Sequence, residues 1–242
     1  MICLNGINKK IKNKNILEDV TFTIKENEIT AFVGDNGAGK TTTIKAIFGE
    51  VKIDSGTIIF EDIDKNKDVA FFPDSNNLSL NITLYEYLYY LSKLYKIESE
   101  LISSKIIEIL ELLALKEYSK NIIKTLSAGQ KKRIILAGII LQKPKVIIFD
   151  EPTSNLDVQG RVELLSLIKK MNEELKITIM ITSHIIDELD EIAQNLIIIT
   201  SGKIVYDSKL KENEKIIDIY SKYANKKVID SNELIKKMKG DY

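Results

Sequence analysis

A glycine-rich stretch, GDNGAGKT at residues 34–41, has the residue types that hold phosphate groups. It matches the pattern G-x-x-x-x-G-K-[ST], and it lies between a short apolar strand, ITAFVG, and a predicted helix. Glycines let the backbone wrap so that its N–H groups face phosphates, and a helix start adds a positive end. The residues predicted to bind are Gly34, Asp35, Asn36, Gly37, Ala38, Gly39, Lys40, Thr41 and Thr42.

Two acids follow a second apolar strand, VIIFDE at residues 146–151. Asp150 is expected to hold Mg²⁺ through water together with the hydroxyl of Thr41, and Lys40 is expected to meet the β- and γ-phosphates. Glu151 comes where the strand ends and can polarise an attacking water as a general base. A strand ending in Asp-Glu is ordinary by itself, but together with the phosphate loop it favours nucleoside triphosphate hydrolysis.

His184 is the only histidine of the chain and follows the apolar strand 177–182. Ligands of α/β sheets bind at the carboxyl ends of strands, so this position can lie beside a terminal phosphate. The alternative is a structural or merely exposed histidine.

A second helix start that could hold an anion is LSAGQ at 126–130, where Ser127 is a good N-cap. A plain capped helix without a ligand is the alternative. The residues of this stretch are Leu126, Ser127, Ala128, Gly129 and Gln130.

These sites need particular elements to position them. Unbroken β-branched runs alternating with helical patterns predict an α/β fold with a mostly parallel sheet covered on both faces. Strands are predicted near 2–8 and over 16–24, joined by the polar turn KKIKNKN, and over 55–62, 68–73, 145–151, 176–183 and 196–200. The block 81–118 predicts inserted helices, 160–175 another helix, 185–194 a short acidic helix, and Ser201-Gly202 a hairpin turn.

Composition narrows the classes of function. Lys+Arg and Asp+Glu number 35 each, which argues against a dedicated nucleic-acid binder. The single cysteine, Cys3, indicates a reduced, cytosolic setting. We expect no signal peptide and no membrane span, so a role at a membrane would require another polypeptide.

Five ordered motifs, GDNGAGKT, LSAGQ, VIIFDEP, SNLD at 154–157 and ITSH at 181–184, resemble the nucleotide-binding subunit of ATP-binding cassette (ABC) transporters. The resemblance covers about residues 2–207. It implies a P-loop NTPase core, an N-terminal antiparallel β subdomain and an inserted helical subdomain at about 75–143. An ATPase domain over 1–207 and a short, helical C-terminal tail over 208–242 are expected.

The resemblance also implies Mg²⁺-dependent ATP hydrolysis by two cassettes that close head to tail, as a homodimer or a heterodimer. Ser127 and Gly129 would bind the γ-phosphate of ATP held by the partner cassette, and His184 would contact the γ-phosphate of its own. The loop crossing between protomers would comprise Ser154, Asn155, Leu156 and Asp157.

Three positions depart from the family pattern. Asp74, in FFPDSNN, stands where a glutamine couples the core to the helical subdomain, and it is expected to keep that role and to meet Mg²⁺; an Asx turn is the alternative. No aromatic residue precedes Phe22, and Ile11 or Lys12 stands where one usually stacks on adenine, which predicts weaker adenine selectivity. Ala128 replaces a common glycine at little cost.

The function expected from the resemblance is an energy-coupling ATPase, peripheral on the cytoplasmic face of the membrane, that docks on an integral membrane transporter subunit through residues near 74–95. The compact insertion and the lack of an added C-terminal domain resemble simple bacterial multidrug, antibiotic or peptide exporters. A cassette ATPase acting on a soluble cofactor-assembly complex is the alternative. A regulator that does not hydrolyse nucleotide conflicts with Glu151 and His184.

Overall fold

The computed structural model describes residues 1–73, 78, 80–183 and 185–224, and these residues form two β-sheets with helices around them. In chain order the strands are β1 (Ile2–Ile11), β2 (Lys14–Ile24), β3 (Ile29–Val33), β4 (Ser55–Phe60), β5 (Val69–Phe72), β6 (Val146–Asp150), β7 (Thr178–Thr182), β8 (Asn195–Thr200) and β9 (Lys203–Lys209). The helices are α1 (Lys40–Phe48), α2 (Lys65–Asp68), α3 (Leu84–Leu94), α4 (Ser99–Leu112), α5 (Ala128–Gln142), α6 (Val158–Leu175) and α7 (Ile216–Tyr223). Short 3₁₀ turns cover Lys116–Tyr118, Ile123–Thr125 and Ile186–Glu188.

The larger sheet has the strand order β5-β6-β7-β3-β8-β9, parallel except for the antiparallel edge strand β9. Every residue of β3, β6, β7 and β8 is buried, because the sheet is covered on both faces. One face packs against α6 and α7, and the other packs against α1 and the smaller antiparallel sheet β2-β1-β4. The predicted α/β class, with a mostly parallel sheet and a separate antiparallel one, is confirmed.

The helices α3, α4 and α5 share a hydrophobic cluster of their own. Leu84 and Leu88 of α3 pack there with Ile106 of α4 and Ile134 of α5, all fully buried. Burial of each such side chain contributes about 1.5–3 kcal/mol before chain entropy is counted. This separate core lets the three helices keep a fixed shape beside the sheet.

Four sequence-based boundaries need correction. The polar stretch 9–15 is largely strand, since β1 and β2 extend into it and only Lys12 and Asn13 form the turn, with φ of 46° and 63°. Positive φ at both positions suits a two-residue hairpin turn whose twist matches the strands. The strand predicted for 145–151 ends at Asp150, the one predicted for 55–62 ends at Phe60, and the acidic helix predicted for 185–194 is only the 3₁₀ turn Ile186–Glu188.

Within the described part of the chain, no helix is both long and apolar enough to cross a lipid bilayer.

Candidate functional site

The predicted phosphate loop joins β3 to α1 at the carboxyl edge of the larger sheet. It begins at Gly34, directly after Val33, and passes close to β8. A Cβ atom built on Gly34 would lie 2.2 Å from the carbonyl oxygen of Ile199. The backbone approaches β8 too closely for any residue but glycine, so the start of the loop is fixed by contact with the sheet.

Two further glycines give this loop its curvature. Gly37 and Gly39 have φ of 79° and 116°, in the region that residues with a Cβ rarely adopt. The N-cap of α1 is Gly39, which has no side chain to cap this helix start. The first N–H groups of a helix have no partner inside it, so here they remain available for an anion.

Lys40, the first residue of α1, is buried under the loop. Its ammonium donates a hydrogen bond to the carbonyl oxygen of Gly34 at 2.6 Å. Burial lowers the pKa of Lys40 from its ordinary value, and the charges of Glu151, Asp150 and Asp35 oppose that shift. Lys40 therefore lies within electrostatic reach of both predicted acids, as a site for a polyphosphate requires.

The two acids are tied together by Thr182, which pairs with Asp150 in the parallel register of β6 and β7. The hydroxyl of Thr182 donates to Asp150 Oδ1 at 2.8 Å and accepts from the backbone N–H of Glu151 at 2.9 Å. One hydroxyl thus orients the Asp150 carboxylate and the backbone of Glu151 together. Both acids are buried, each with 7% exposure.

Glu151 leaves the strand in an unusual conformation. Its φ is 52°, a left-handed value that costs free energy for a residue with a long side chain. The carbonyl of Glu151 accepts from the N–H of Ser154 at 3.1 Å, which closes a tight turn. This bend directs the chain away from the sheet immediately after Asp150, and it forms the start of the 152–157 loop.

The 152–157 loop is fastened to α5 by Lys132. This ammonium is buried, with 4% exposure, and donates to the carbonyls of Pro152, at 2.6 Å, and Ser154. The hydroxyl of Ser154 accepts a third bond at 3.1 Å. Three oxygens thus match the three donors of a lysine, which fixes the start of α5 relative to the turn after Glu151.

The first turn of α5 satisfies its own polar groups. Ser127 Oγ accepts from the N–H of Gln130 at 3.2 Å, and Gln130 Oε1 accepts from the N–H of Ser127 at 2.8 Å. This reciprocal pair is a capping box. Leu126 is buried behind it, whereas Ser127 is exposed and Ala128, Gly129 and Gln130 are partly exposed.

The predicted crossing loop lies next to this helix start. A Cβ on Gly129 would come within 4.0 Å of Leu156 Cδ2, and Gly129 lines one groove of about 590 Å³ together with Asn155, Leu156 and Asp157. Asp157 caps α6 by accepting from the N–H of Gly160 at 2.8 Å. The phosphate-loop residues Gly34, Asp35 and Asn36 line a separate cleft of about 460 Å³.

The structure therefore divides the predicted site residues into two groups. Lys40, Asp150 and Glu151 lie together beside the phosphate loop, whereas Gly129 of the α5 start and residues 155–157 line a second surface. The predictions for Asp74 and His184 fall outside the described residues.

Mg²⁺ binds oxygen ligands, usually one or two carboxylates completed by water and substrate phosphates. The buried Asp150 carboxylate and the exposed Thr41 hydroxyl have the right chemistry for such a share. Among the residues described, no cluster of three or more His, Cys, Asp or Glu side chains could hold a metal ion by itself. The oxygens of Asp150 and Thr41 therefore fit a Mg²⁺ ion whose remaining ligands are phosphates and water.

Three side chains make contacts in or near the site that the sequence analysis does not predict. Thr182 belongs to the ITSH motif, but its role depends on strand pairing. Lys132 looks like one of several basic residues in KKR, and Tyr220 lies far along the chain from Asp35, to which it donates a hydrogen bond at 2.7 Å. Of these contacts, only that of Thr182 has a signal in the sequence: one apolar run ends in Thr182 and another in Asp150.

The chain is similar in sequence to proteins of a known family. A family model described as ABC transporter matches residues 17–154. A putative ABC transporter ATP-binding protein of Vibrio parahaemolyticus is 34% identical over 208 residues, which are 82% of this chain but 36% of that protein. The chain thus spans little more than a third of that relative's length.

Two further relatives match over most of their length. The bacitracin transport ATP-binding protein BcrA of Bacillus licheniformis is 32% identical over 240 residues, covering 95% of this chain and 78% of that protein. The energy-coupling factor transporter ATP-binding protein EcfA2 of Clostridium acetobutylicum is 31% identical over 223 residues, covering 86% and 78%.

Solved structures share the fold. The structure of cbiO1 from Clostridium perfringens, part of the ABC transporter complex cbiONQ, has a TM-score of 0.74 at 27% identity, covering 86% of this chain and 88% of that one. The ATP-binding cassette MJ0796, dimeric and bound to ADP and Pi, has a TM-score of 0.77 at 25% identity, covering 87% and 99%.

Proposed function

Since this chain belongs to the ABC transporter family and is one of its ATP-hydrolysing cassettes, we propose that it powers export through separate membrane subunits. The observation that supports the hydrolytic part of this proposal most directly is the arrangement at the carboxyl edge of β6, β7 and β3, which are neighbours in the sheet. There the Lys40 ammonium under the phosphate loop lies within electrostatic reach of Asp150 and Glu151, and Thr182 ties these two acids together.

In this proposal residues 34–42 bind the phosphates of ATP. Backbone N–H groups at Gly37 and Gly39 donate to them, and Lys40 exchanges its bond to the Gly34 carbonyl for the β- and γ-phosphates. The exchange keeps a buried ammonium paired in both states, which lowers the cost of releasing the loop carbonyl.

Hydrolysis needs a base and a divalent cation in this proposal. Glu151 accepts the proton of the water that attacks the γ-phosphate, and Thr182 keeps Glu151 and Asp150 in register. Asp150, Thr41 and Asp74 would hold Mg²⁺, and the ion would neutralise charge on the phosphates. His184 contacts the γ-phosphate.

The second surface meets a partner cassette. The exposed start of α5, with Ser127 and Gly129, approaches the γ-phosphate held by the partner, and Asp157 lies near the partner's phosphate loop. The contacts of Lys132 support a connection between the two surfaces, because they join α5 to the loop that follows Glu151. Closure at one site can thereby be sensed at the other.

The membrane subunit docks on the helical insertion at about 75–143 in this proposal. On α3, Tyr90 and Leu94 are 62% and 70% exposed, which leaves apolar surface on this helix. Lys93 on the same helix places its ammonium 5.6 Å from the centroid of the Tyr89 ring. The ATPase domain spans 1–207, the tail spans 208–242, and the cassette is peripheral on the cytoplasmic face of the membrane. Export is favoured over import by the compact insertion, although relatives named for bacitracin transport and for methionine import both match.

Base selectivity is proposed to be relaxed. The β1–β2 hairpin presents the exposed Ile11 and Lys12 rather than a ring that could stack on adenine. ATP and GTP should therefore support hydrolysis with comparable KM, measured by phosphate release. A strong preference for ATP contradicts this part of the proposal.

The proposed function is tested by a pull-down with the Glu151→Gln variant. Loss of the base should abolish turnover and hold two cassettes together with ATP, which also stabilises their complex with a membrane partner. The tagged variant is expressed in its native host, the membranes are solubilised mildly with ATP and Mg²⁺, and co-purifying proteins are identified. Glu173→Gln, an exposed acid-to-amide change on α6, is the matched control.

A polytopic membrane protein recovered with Glu151→Gln, and only weakly with Glu173→Gln, supports the transporter proposal. Recovery of a soluble scaffold without any membrane protein replaces it with the assembly-ATPase alternative. Normal hydrolysis by Glu151→Gln contradicts the assignment of the base.

A further inference from the structure

The helix α7 is packed on the core beside the phosphate loop. Ile216, Ile219 and Tyr220 are buried in the cluster that covers one face of the larger sheet. The backbone N–H of Ile216 donates to Asp190 Oδ1 at 2.7 Å, which fixes the first turn of α7. The position of this C-terminal helix is therefore set by apolar packing and by a hydrogen bond at its start.

One side chain connects α7 to the phosphate loop. The hydroxyl of Tyr220 donates to Asp35 Oδ1 at 2.7 Å, and Tyr220 is only 7% exposed. Asp35 directly follows Gly34, whose backbone is fixed against β8. The contact therefore places the Asp35 carboxylate on the α7 side of the loop.

The carboxylate of Asp35 is an unfavourable charge for a loop that must hold a polyphosphate. Two like charges a few ångströms apart repel by about 1 kcal/mol in water and by more where water is excluded. The position of this carboxylate thus affects how strongly the loop binds phosphate. Asp35 Oδ1 accepts a charge-assisted hydrogen bond, which is stronger than a bond between neutral groups.

The hydroxyl of Tyr220 is suited to hold that carboxylate. Burial raises the pKa of Tyr220, and the hydrogen bond to Asp35 raises it further, so the hydroxyl stays a donor across the physiological range. Tyr220 also lines the 460 Å³ cleft, together with Ser183, Ile185 and Asp187. This cleft gives a released Asp35 side chain room to move.

We propose that Tyr220 is a positioning residue for ATP binding: its hydroxyl restrains the Asp35 carboxylate on the α7 side, away from the phosphates. The proposal rests on the binding of ATP by residues 34–42, and it is independent of export and of dimerisation. The C-terminal helix, outside the five motifs, thereby contributes to the KM for ATP.

The test is a set of four variants of the full chain, with steady-state ATP hydrolysis and equilibrium binding of a fluorescent ATP analogue measured for each. Tyr220→Phe should raise KM and Kd by about fivefold, with kcat little changed, because the released Asp35 carboxylate then repels the phosphates. Tyr223→Phe is the matched control, since Tyr223 lies on the same helix and packs its ring on Tyr206 with a centroid distance of 5.3 Å.

Replacement of the charge separates restraint from packing. Asp35→Asn should lower KM below the wild-type value, because the amide removes the repulsion and can still accept the bond from Tyr220. In the double variant Tyr220→Phe/Asp35→Asn, KM should stay within about twofold of Asp35→Asn alone, since no carboxylate is left to restrain.

Three results overturn the proposal. The first is an unchanged KM in Tyr220→Phe with an intact melting curve. The second is an equal rise of KM on the wild-type and Asp35→Asn backgrounds, which assigns Tyr220 a packing role. The third is a higher KM in Asp35→Asn itself, a result that decides the matter even if Tyr220→Phe does not fold. If the wild-type chain shows no saturable ATP binding, the proposed function is wrong as well. Saturable binding by the wild type together with any of the three results above contradicts the Tyr220 proposal alone.

Discussion

Two helices of this molecule begin at predicted phosphate contacts, yet they are capped in opposite ways. α1 begins after Gly39 with no side-chain cap, on a loop pressed against β8. α5 begins after Ser127, which forms a complete capping box with Gln130, and its first turn is partly exposed. The start of α5 thus has a side-chain acceptor for one of its first N–H groups, whereas the N-cap of α1 supplies none.

The difference suggests how each region would bind an anion. The N-cap of α1 is a glycine without a side chain, and in the described part of the chain its first N–H groups are left for a ligand, which would stabilise the loop directly. At α5 the chain already satisfies Gln130 and Ser127, so an anion there gains only the remaining groups and the helix dipole. An incomplete, weak half-site that works only against a second cassette fits this arrangement.

The largest contrast is expected from the same substitution in the two regions. Gly34→Ala would bring a Cβ atom within 2.2 Å of the Ile199 carbonyl, so the loop must shift and ATP binding should be lost. Gly129→Ala meets only Leu156 Cδ2, at 4.0 Å, and should keep its fold and its ATP affinity. Equilibrium ATP binding and thermal melting of both variants are measured side by side.

In the same pair, hydrolysis should fall in Gly129→Ala although ATP binding persists, because the partner-facing surface is altered. Equal loss of ATP binding in the two variants breaks the comparison. If Gly129→Ala hydrolyses ATP at the wild-type rate, the proposed role of the α5 start in hydrolysis is wrong.

Two buried lysines provide the next contrast. Lys40→Met should weaken ATP binding by about tenfold or more, since a charge-assisted bond to phosphate is lost. Lys132→Met should instead destabilise the fold by about 1–3 kcal/mol, because the carbonyls of Pro152 and Ser154 lose their donor. Urea denaturation and ATP titration measure the two effects independently.

If Lys132→Met weakens ATP binding as much as Lys40→Met does, the assignment of ATP binding to Lys40 and of fold stability to Lys132 is wrong. Lys132→Arg, which keeps the charge and several donors, should recover most of the lost stability.

A smaller effect is expected at the two capping boxes. Ser127→Ala should cost about 1 kcal/mol of stability, the usual value of an N-cap, and should also reduce hydrolysis. Thr83→Ala is the matched control, because Thr83 and Glu86 form the same capping box at the start of α3. It should cost a similar amount of stability while hydrolysis by the isolated chain persists.

If both alanine variants hydrolyse ATP at the wild-type rate, Ser127 serves as a cap and nothing more. Comparable losses in both variants would trace the effect to stability.

The smallest expected effect is on pH dependence, and it concerns α1 alone. Burial lowers the pKa of Lys40 below its ordinary 10.5, so between the folded and unfolded pKa values the unfolded chain holds more protons. Stability of the nucleotide-free chain gains from this group as pH rises through that window, while ATP affinity falls with loss of the ammonium. Urea midpoints of the wild type and Lys40→Met, compared as the pH rises towards 10.5, isolate the contribution. A constant difference between them contradicts it.

Local sequence was sufficient for the phosphate loop and for the class of fold. The spacing of Gly34, Gly37 and Gly39 before Lys40 is a short-range steric requirement, and apolar runs that end in Asp150 or Thr182 predict buried parallel strands. The ends of β1 and β2 do not follow from local sequence. The two strands pair with each other through a polar segment whose composition predicts a turn.

The contacts that complete the site join residues distant in the chain, and only the folded structure brings them together. Thr182 reaches Asp150 because β6 and β7 are neighbours in the sheet, and Lys132 reaches the 152–157 loop because α5 packs beside it. Tyr220 meets Asp35 across 185 residues of sequence. Periodicity and motif spacing describe each segment separately, whereas these bonds depend on which segments pack side by side, and that is decided by burial of the whole core.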